Sequence, residues 1–196
     1  GHEVIVADGG SRDATVAVAK PRADRVIAAP RGRAAQMNAG AAVASGDVLL
    51  FLHADSRLPG DAVAAVDAAI RSGRRWGRFD VTIEGRSRML PVVAAAMNLR
   101  SRLTGLATGD QGIFVERKLF ADVGGYPPIP LMEDLALSRT LKRRAGRPAC
   151  LASRLRTSGR RWDRDGAWRT ILLMWRLRAA WALGADPVRL AKAYAP

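Results

Sequence analysis

The sequence predicts an α/β fold in which a mostly parallel sheet is flanked by helices. Three observations carry this. Strand-like and helix-like segments alternate three times within the first 70 residues. An almost unbroken apolar run, Asp47 to Leu52, suits a strand buried on both faces of a parallel sheet. Small-residue, helix-forming stretches follow each such run.

The elements follow in order. Glu3 to Ala7 reads as a strand broken by Asp8-Gly9-Gly10-Ser11, with Ser11 as N-cap of a helix through Ala19. Arg25 to Ala29 reads as the next strand. After the loop Pro30 to Arg33, a small-residue helix runs to Ala44 and ends at Gly46. The apolar run then stops at His53-Ala54-Asp55-Ser56, and Leu58-Pro59-Gly60 turns into a helix from Asp61 to Ile70. Beyond Gly73, Trp76 to Glu84 alternates loosely as a strand with one wetter face, and Met89 to Leu106 is an apolar helix. Thr108 to Gly112 turns into the strand Ile113 to Val115. A short helix, Lys118 to Val123, stops at Gly124-Gly125-Tyr126. Glu133-Asp134 opens a helix to Ala145, and Pro148 to Ala152 reads as an edge strand because proline begins it. Asp165 to Leu183 is a helical tail rich in Trp and Arg.

With 196 residues, 48% of them hydrophobic, the chain is long enough for one globular domain with a sizeable core. The domain reading is 1–164, with 165–196 as a helical extension of the same unit. The chain begins directly on a strand, so an earlier central strand and helix are expected upstream of Gly1. A lone cysteine, Cys150, leaves no intramolecular disulfide and favours a cytoplasmic setting. No apolar run is long enough for a transmembrane helix. The net charge of +14 attracts phosphates, polyanions or anionic lipid, although Ala- and Arg-rich composition alone produces the same charge.

Four acidic points stand out: Asp8, Asp55, Asp110 and Glu133-Asp134. A carboxylate after a buried parallel strand faces the crevice where open α/β sheets bind ligands, which places Asp8 and Asp55 at one sheet edge. Asp55 beside His53 offers oxygen and imidazole ligands for a phosphate-carrying cation. Each has a plainer reading: Asp55 as a helix cap, Asp8 as a turn former before Gly-Gly, Asp134 as a first-turn acid favoured by the helix dipole.

The order of these motifs resembles glycosyltransferase family 2, the inverting GT-A (Rossmann-like) fold. The matching stretches are Val6 to Thr15, Gly32 to Gly40, His53-Ala54-Asp55, Gly109 to Phe114, Gly124 to Tyr126, Glu133-Asp134 and Arg161-Trp162. Within it, Ser158 to Arg169 and the Trp-rich tail are similar to a bacterial subgroup for arsenosugar biosynthesis. The resemblance implies a transferase using a nucleotide-diphosphate sugar, most often a UDP-sugar, with Mn²⁺ or Mg²⁺ as cofactor. It implies Asp134 as general base and Asp55, with His53, at the metal. Asp8, Gly9, Arg33, Asn38, Ala54, Asp55, Arg161 and Trp162 would bind the donor; Asp110, Gln111 and Glu133 would line the sugar or acceptor side. His53 stands where the family has the first Asp of its metal motif. A lipid-linked acceptor would bring the tail to the inner face of the membrane; otherwise the tail packs on the domain or makes a homodimer. The rivals are a nucleotidyltransferase making nucleotide sugars and a basic nucleic-acid-binding protein, and the family reading predicts no nucleic acid partner.

Overall fold

The computed structural model describes residues 1–194. Strands β1 (Ile5–Asp8) and β2 (Arg25–Ala28) flank helix α1 (Thr15–Ala19) and pair in parallel as a two-stranded sheet. Helix α2 (Arg33–Val43) packs on β1 and leads to β3 (Val48–Phe51). Next come β4 (Ser56–Arg57), α3 (Ala62–Arg71), β5 (Trp76–Glu84) and α4 (Leu90–Thr104). A 3-10 turn, Gly109–Gln111, enters β6 (Ile113–Glu116), followed by α5 (Arg117–Asp122) and α6 (Glu133–Ala145). The chain closes with β7 (Ala149–Ser158), α7 (Arg160–Asp165), α8 (Ala167–Ala182) and α9 (Pro187–Tyr194).

The α/β fold with a helix-flanked sheet is as expected, but the strand directions are mixed. The larger sheet has the order β3-β6-β5-β7-β4; β5 and β7 run parallel, and the other three pairings are antiparallel. The apolar run at β3 is therefore not a central parallel strand. It is an edge strand with only Leu49 buried, and Phe51 packs 5.0 Å from the rings of both Phe120 and Tyr126. β1 and β3 lie in different sheets, so Asp8 and Asp55 do not end strands of one sheet.

The core sits on both faces of β5 and β6. Trp76, Ile113, Val115, Leu119 and Leu141 pack on one side; Phe79, Val81, Phe114 and Leu155 pack on the other against α3 and α4. β7 is longer than the sequence suggests and lies inside the sheet, with the short β4 as its outer neighbour. Proline at 148 stands just before the ladder, where its missing N–H costs nothing. The third cluster joins α8 and α9 to the start of α6, burying Leu131, Met132, Leu135, Leu177 and Leu190. The expected tail helix is thus two helices, α8 and α9, and Gly166 at φ 84° separates them from α7. Ser11 does not cap α1: its hydroxyl donates to Asp8, Ala14 stands at the N-cap, and Asp13 just before it accepts the Thr15 N–H.

Candidate functional site

The acidic residues at 110 and 134 are drawn together by one glycine. Asp134 stands in the first turn of α6, where Oδ2 accepts the Gly109 N–H at 2.8 Å and Oδ1 accepts the Leu135 N–H at 2.7 Å. Met132, the residue that starts this turn, takes a left-handed φ of 67°. That conformation costs a non-glycine residue roughly 1–3 kcal/mol, so neighbours must hold it. Its side chain is buried with Leu177 and Leu190, so α8 and α9 fix the turn that aims Asp134.

Gly109 also touches His53, whose Nε2 would lie 2.5 Å from any Cβ added at that position. The imidazole Nδ1 meets Asp110 Oδ1 at 3.2 Å. Burial alone lowers the His53 pKa, but the hydrogen bond and charge of Asp110 outweigh it and the net shift is upward. Burial likewise raises Asp110, and His53 outweighs that, leaving the carboxyl below its usual range. His53 is thus committed to Asp110. Asp55 keeps an exposed carboxylate whose nearest cation, Arg160 Nη2, is 3.8 Å away, beyond hydrogen-bond range. One free carboxylate suits a hard divalent cation whose other positions come from phosphate and water. Among the described residues no cluster of three or more potential metal ligands forms.

Glu133 is 2% exposed and bonds Arg33, with Nε to Oε1 at 2.7 Å. Burial and neighbouring Asp134 raise the Glu133 pKa against the pull of Arg33. Arg33 loses basicity to burial but gains more from Glu133 and Asp134. This pair straps α2 to α6. Asn38 makes a second strap: its amide donates to Tyr126 O at 2.8 Å and accepts from Tyr126 N at 2.9 Å. Gly125, at φ 72°, has no room for a Cβ beside Asn38 Oδ1, 2.7 Å away. Asn38 therefore holds the Gly-Gly-Tyr turn with one N–H and one carbonyl lone pair.

Asp8 is occupied locally. Oδ2 accepts the Gly10 and Ser11 N–H groups and Oδ1 accepts the Ser11 hydroxyl, which hold its pKa down. Gly9 lies against the Gln36 side chain, which donates to Ala7 O at 2.9 Å. Ala54 is exposed beside Asp55.

Three expectations change. Gln111 is 0% exposed and bonds Thr108 and Asn98, so it supports the turn and cannot touch a sugar. Arg161 does not reach toward Asp55: it stacks 3.7 Å from the Tyr194 ring and donates to Tyr194 O at 2.8 Å. Trp162 packs half-buried on the β5 core and lines a cleft of about 540 Å³ with Arg86, Arg160 and Arg164. The basic residue at the Asp55 edge is Arg160, one place earlier than the motif suggested. Sequence reasoning also missed Tyr194, Arg100 and Arg178, because nothing in spacing shows which helical arginines turn inward.

The comparisons agree with this architecture. The model of Glycosyl transferase family 2 matches residues 1–113. TarS from S. aureus is similar in structure, with TM-score 0.62 and 17% identity over 80% of this chain and 51% of that one. The mannosyltransferase PcManGT from Pyrobaculum calidifontis, solved with GDP-Man and Mn²⁺, gives TM-score 0.59 and 21% identity, covering 98% and 59%. Glucosyl-3-phosphoglycerate synthase from Mycobacterium tuberculosis, solved with Mn²⁺, UDP and glucosyl-3-phosphoglycerate, gives 0.55 and 20%, covering 79% and 59%. The chain spans about half the length of these structures, 51% to 59%. No curated protein sequence matches it significantly.

Proposed function

The chain belongs to glycosyl transferase family 2, and from that premise we propose that it transfers a sugar, with inversion, from a nucleotide diphosphate to an acceptor hydroxyl. One observation carries this reading. Asp134 is held by two backbone N–H groups at the start of α6, beside the Asp110 turn that His53 joins to the end of β3.

In the proposed reaction the acceptor oxygen attacks the anomeric carbon as the bond to the diphosphate breaks. Asp134 takes the hydroxyl proton, and the diphosphate leaves with the bonding electrons. Mn²⁺ or Mg²⁺ held by Asp55 would neutralise the leaving diphosphate. Arg160 supports the same charge from across the cleft, and Asp110, fixed by His53, faces the sugar. Asp8 and Gly9 shape the base-binding turn. Arg33 and Asn38 act by positioning α2. The donor is a UDP- or GDP-sugar, in keeping with what the solved neighbours hold.

Asp134→Asn tests the assignment. Sugar transfer, or donor hydrolysis where water accepts, should fall by about 10²–10⁴-fold with nucleotide binding kept. Normal turnover in that variant would remove Asp134 from the mechanism.

A second reading concerns location. Trp168, Leu172 and Trp175 are 67%, 61% and 70% exposed on α8 among arginines, a face suited to an anionic membrane surface. No described helix is long and apolar enough to cross a membrane. Co-sedimentation with anionic vesicles should fall when Trp168 and Trp175 become Ser; unchanged partitioning, or a dimer in free solution, would assign the face to protein packing.

A further inference from the structure

Two arginines, Arg100 and Arg178, make no salt bridge or side-chain hydrogen bond with a described residue, although the charge of Asp134 acts on both. Arg100, on α4, has Nε and Nη2 sealed from solvent without a hydrogen-bond acceptor. Arg178, on α8, directly follows Leu177, which is buried with Met132 and Leu135 at the start of α6. Asn98, two residues before Arg100, is bonded to Gln111 in the turn that carries Asp110. Leu106, just past α4, packs with Leu131, Met132 and Leu177, so the C-terminal end of α4, the start of α6 and α8 meet at this end of the molecule. Burial and then the charge of Arg178 push Arg100 down to about 10, and burial lowers Arg178 as well; Asp134 offsets both only in part.

The neighbouring carboxylates are already engaged. Asp110 pairs with His53, Asp134 accepts two N–H groups, and Asp80 bonds Arg78 and Arg102. Buried cations that lack partners are costly and are usually completed by an anion.

We propose that Arg100 and Arg178 bind an anionic group, phosphate or carboxylate, that the acceptor carries beside its reacting hydroxyl. Asp134 acts on both arginines and Asp110 on Arg178. Assigning the anion to the acceptor rests on the transferase reading; the anion site itself does not.

The test is a calorimetric titration of the full chain with inorganic phosphate in EDTA. Saturable binding is expected, weakened at least about ten-fold by Arg178→Gln and by Arg100→Gln. Arg143→Gln, an exposed arginine in the last turn of α6, far along the helix from Asp134, controls for overall charge and should change nothing. Circular dichroism checks folding; if Arg100→Gln fails to fold, the half-buried Arg178 carries the test alone. No binding in the wild type, binding unchanged in Arg178→Gln, or an equal loss in Arg143→Gln would overturn the site. Competition with UDP and Mn²⁺ separates the two readings. Phosphate displaced by the nucleotide would make the pair a donor subsite and overturn the acceptor assignment. Phosphate binding that persists while no nucleotide binds would keep the anion site and count against the transferase. Glycerol 3-phosphate and vesicles containing phosphatidic acid then distinguish a soluble from a lipid-borne phosphate, and dependence on Arg178 with either one supports the site.

Discussion

The segment before β3 and the sheet that follows it are built differently. Among residues 1–47 only Ala34 is buried, and β1 and β2 pair only with each other. In β5 and β6, Trp76, Phe79, Ile113, Phe114 and Val115 are at most 1% exposed. The second region has a core of its own. The first is held against it by two polar ties, Arg33 to Glu133 and Asn38 to Tyr126, and by a thin apolar contact of Ala34, Met37, Ala41 and Ala44. The core half fixes Asp134 and Asp110, and the lighter half carries the Asp8 turn.

The sharpest way to break this contrast is in the core. Phe114→Ala should cost about 3–5 kcal/mol and unfold the whole chain earlier in denaturant. A small loss there would mean that β5 and β6 do not bear the fold. Asn38→Ala should cost less, about 1–3 kcal/mol, because it leaves the buried N–H and C=O of Tyr126 without partners. Its effect should concentrate in residues 1–47, read as faster amide exchange in β1 and β2 with exchange in β5 unchanged. Uniform acceleration would show that the two regions unfold as one unit.

The smallest effect is a pH dependence. His53 has a raised folded pKa, so its contribution is complete below its unfolded value of about 6.5 and fades as pH rises through the folded value. Asp110 is lowered, so its contribution is present above about 3.9 and is lost as pH falls through its folded value. The pair therefore stabilises most between about pH 4 and 6.5. His53→Asn, measured in EDTA, should be more destabilising at pH 5.5 than at pH 8.5, and an equal cost at both would remove the ion pair from the account.

The contrast also explains what the sequence could reveal. Alternating apolar runs and Gly-rich breaks locate most elements, since those signals are local: α6 is read at its observed bounds, and β5 likewise. Strand direction depends on pairings between residues far apart, which is why β3 was expected at the centre and lies at an edge. Asp134 and Asp110 stand out in the sequence because acidic residues at turns are conspicuous. Gln111 was misjudged, since a polar side chain gives no sign that Thr108 and Asn98 will enclose it. Arg161 was misplaced for a related reason: its partner, Tyr194, is 33 residues away.

The most direct measurement of the central claim is a calorimetric titration with UDP and GDP, with Mn²⁺ and in EDTA, on the wild-type chain and on Asp55→Ala. The account predicts one-site binding of at least one of them that requires Mn²⁺ and is lost in the variant. Binding that is indifferent to both EDTA and Asp55→Ala, or no binding of either nucleotide, would contradict it.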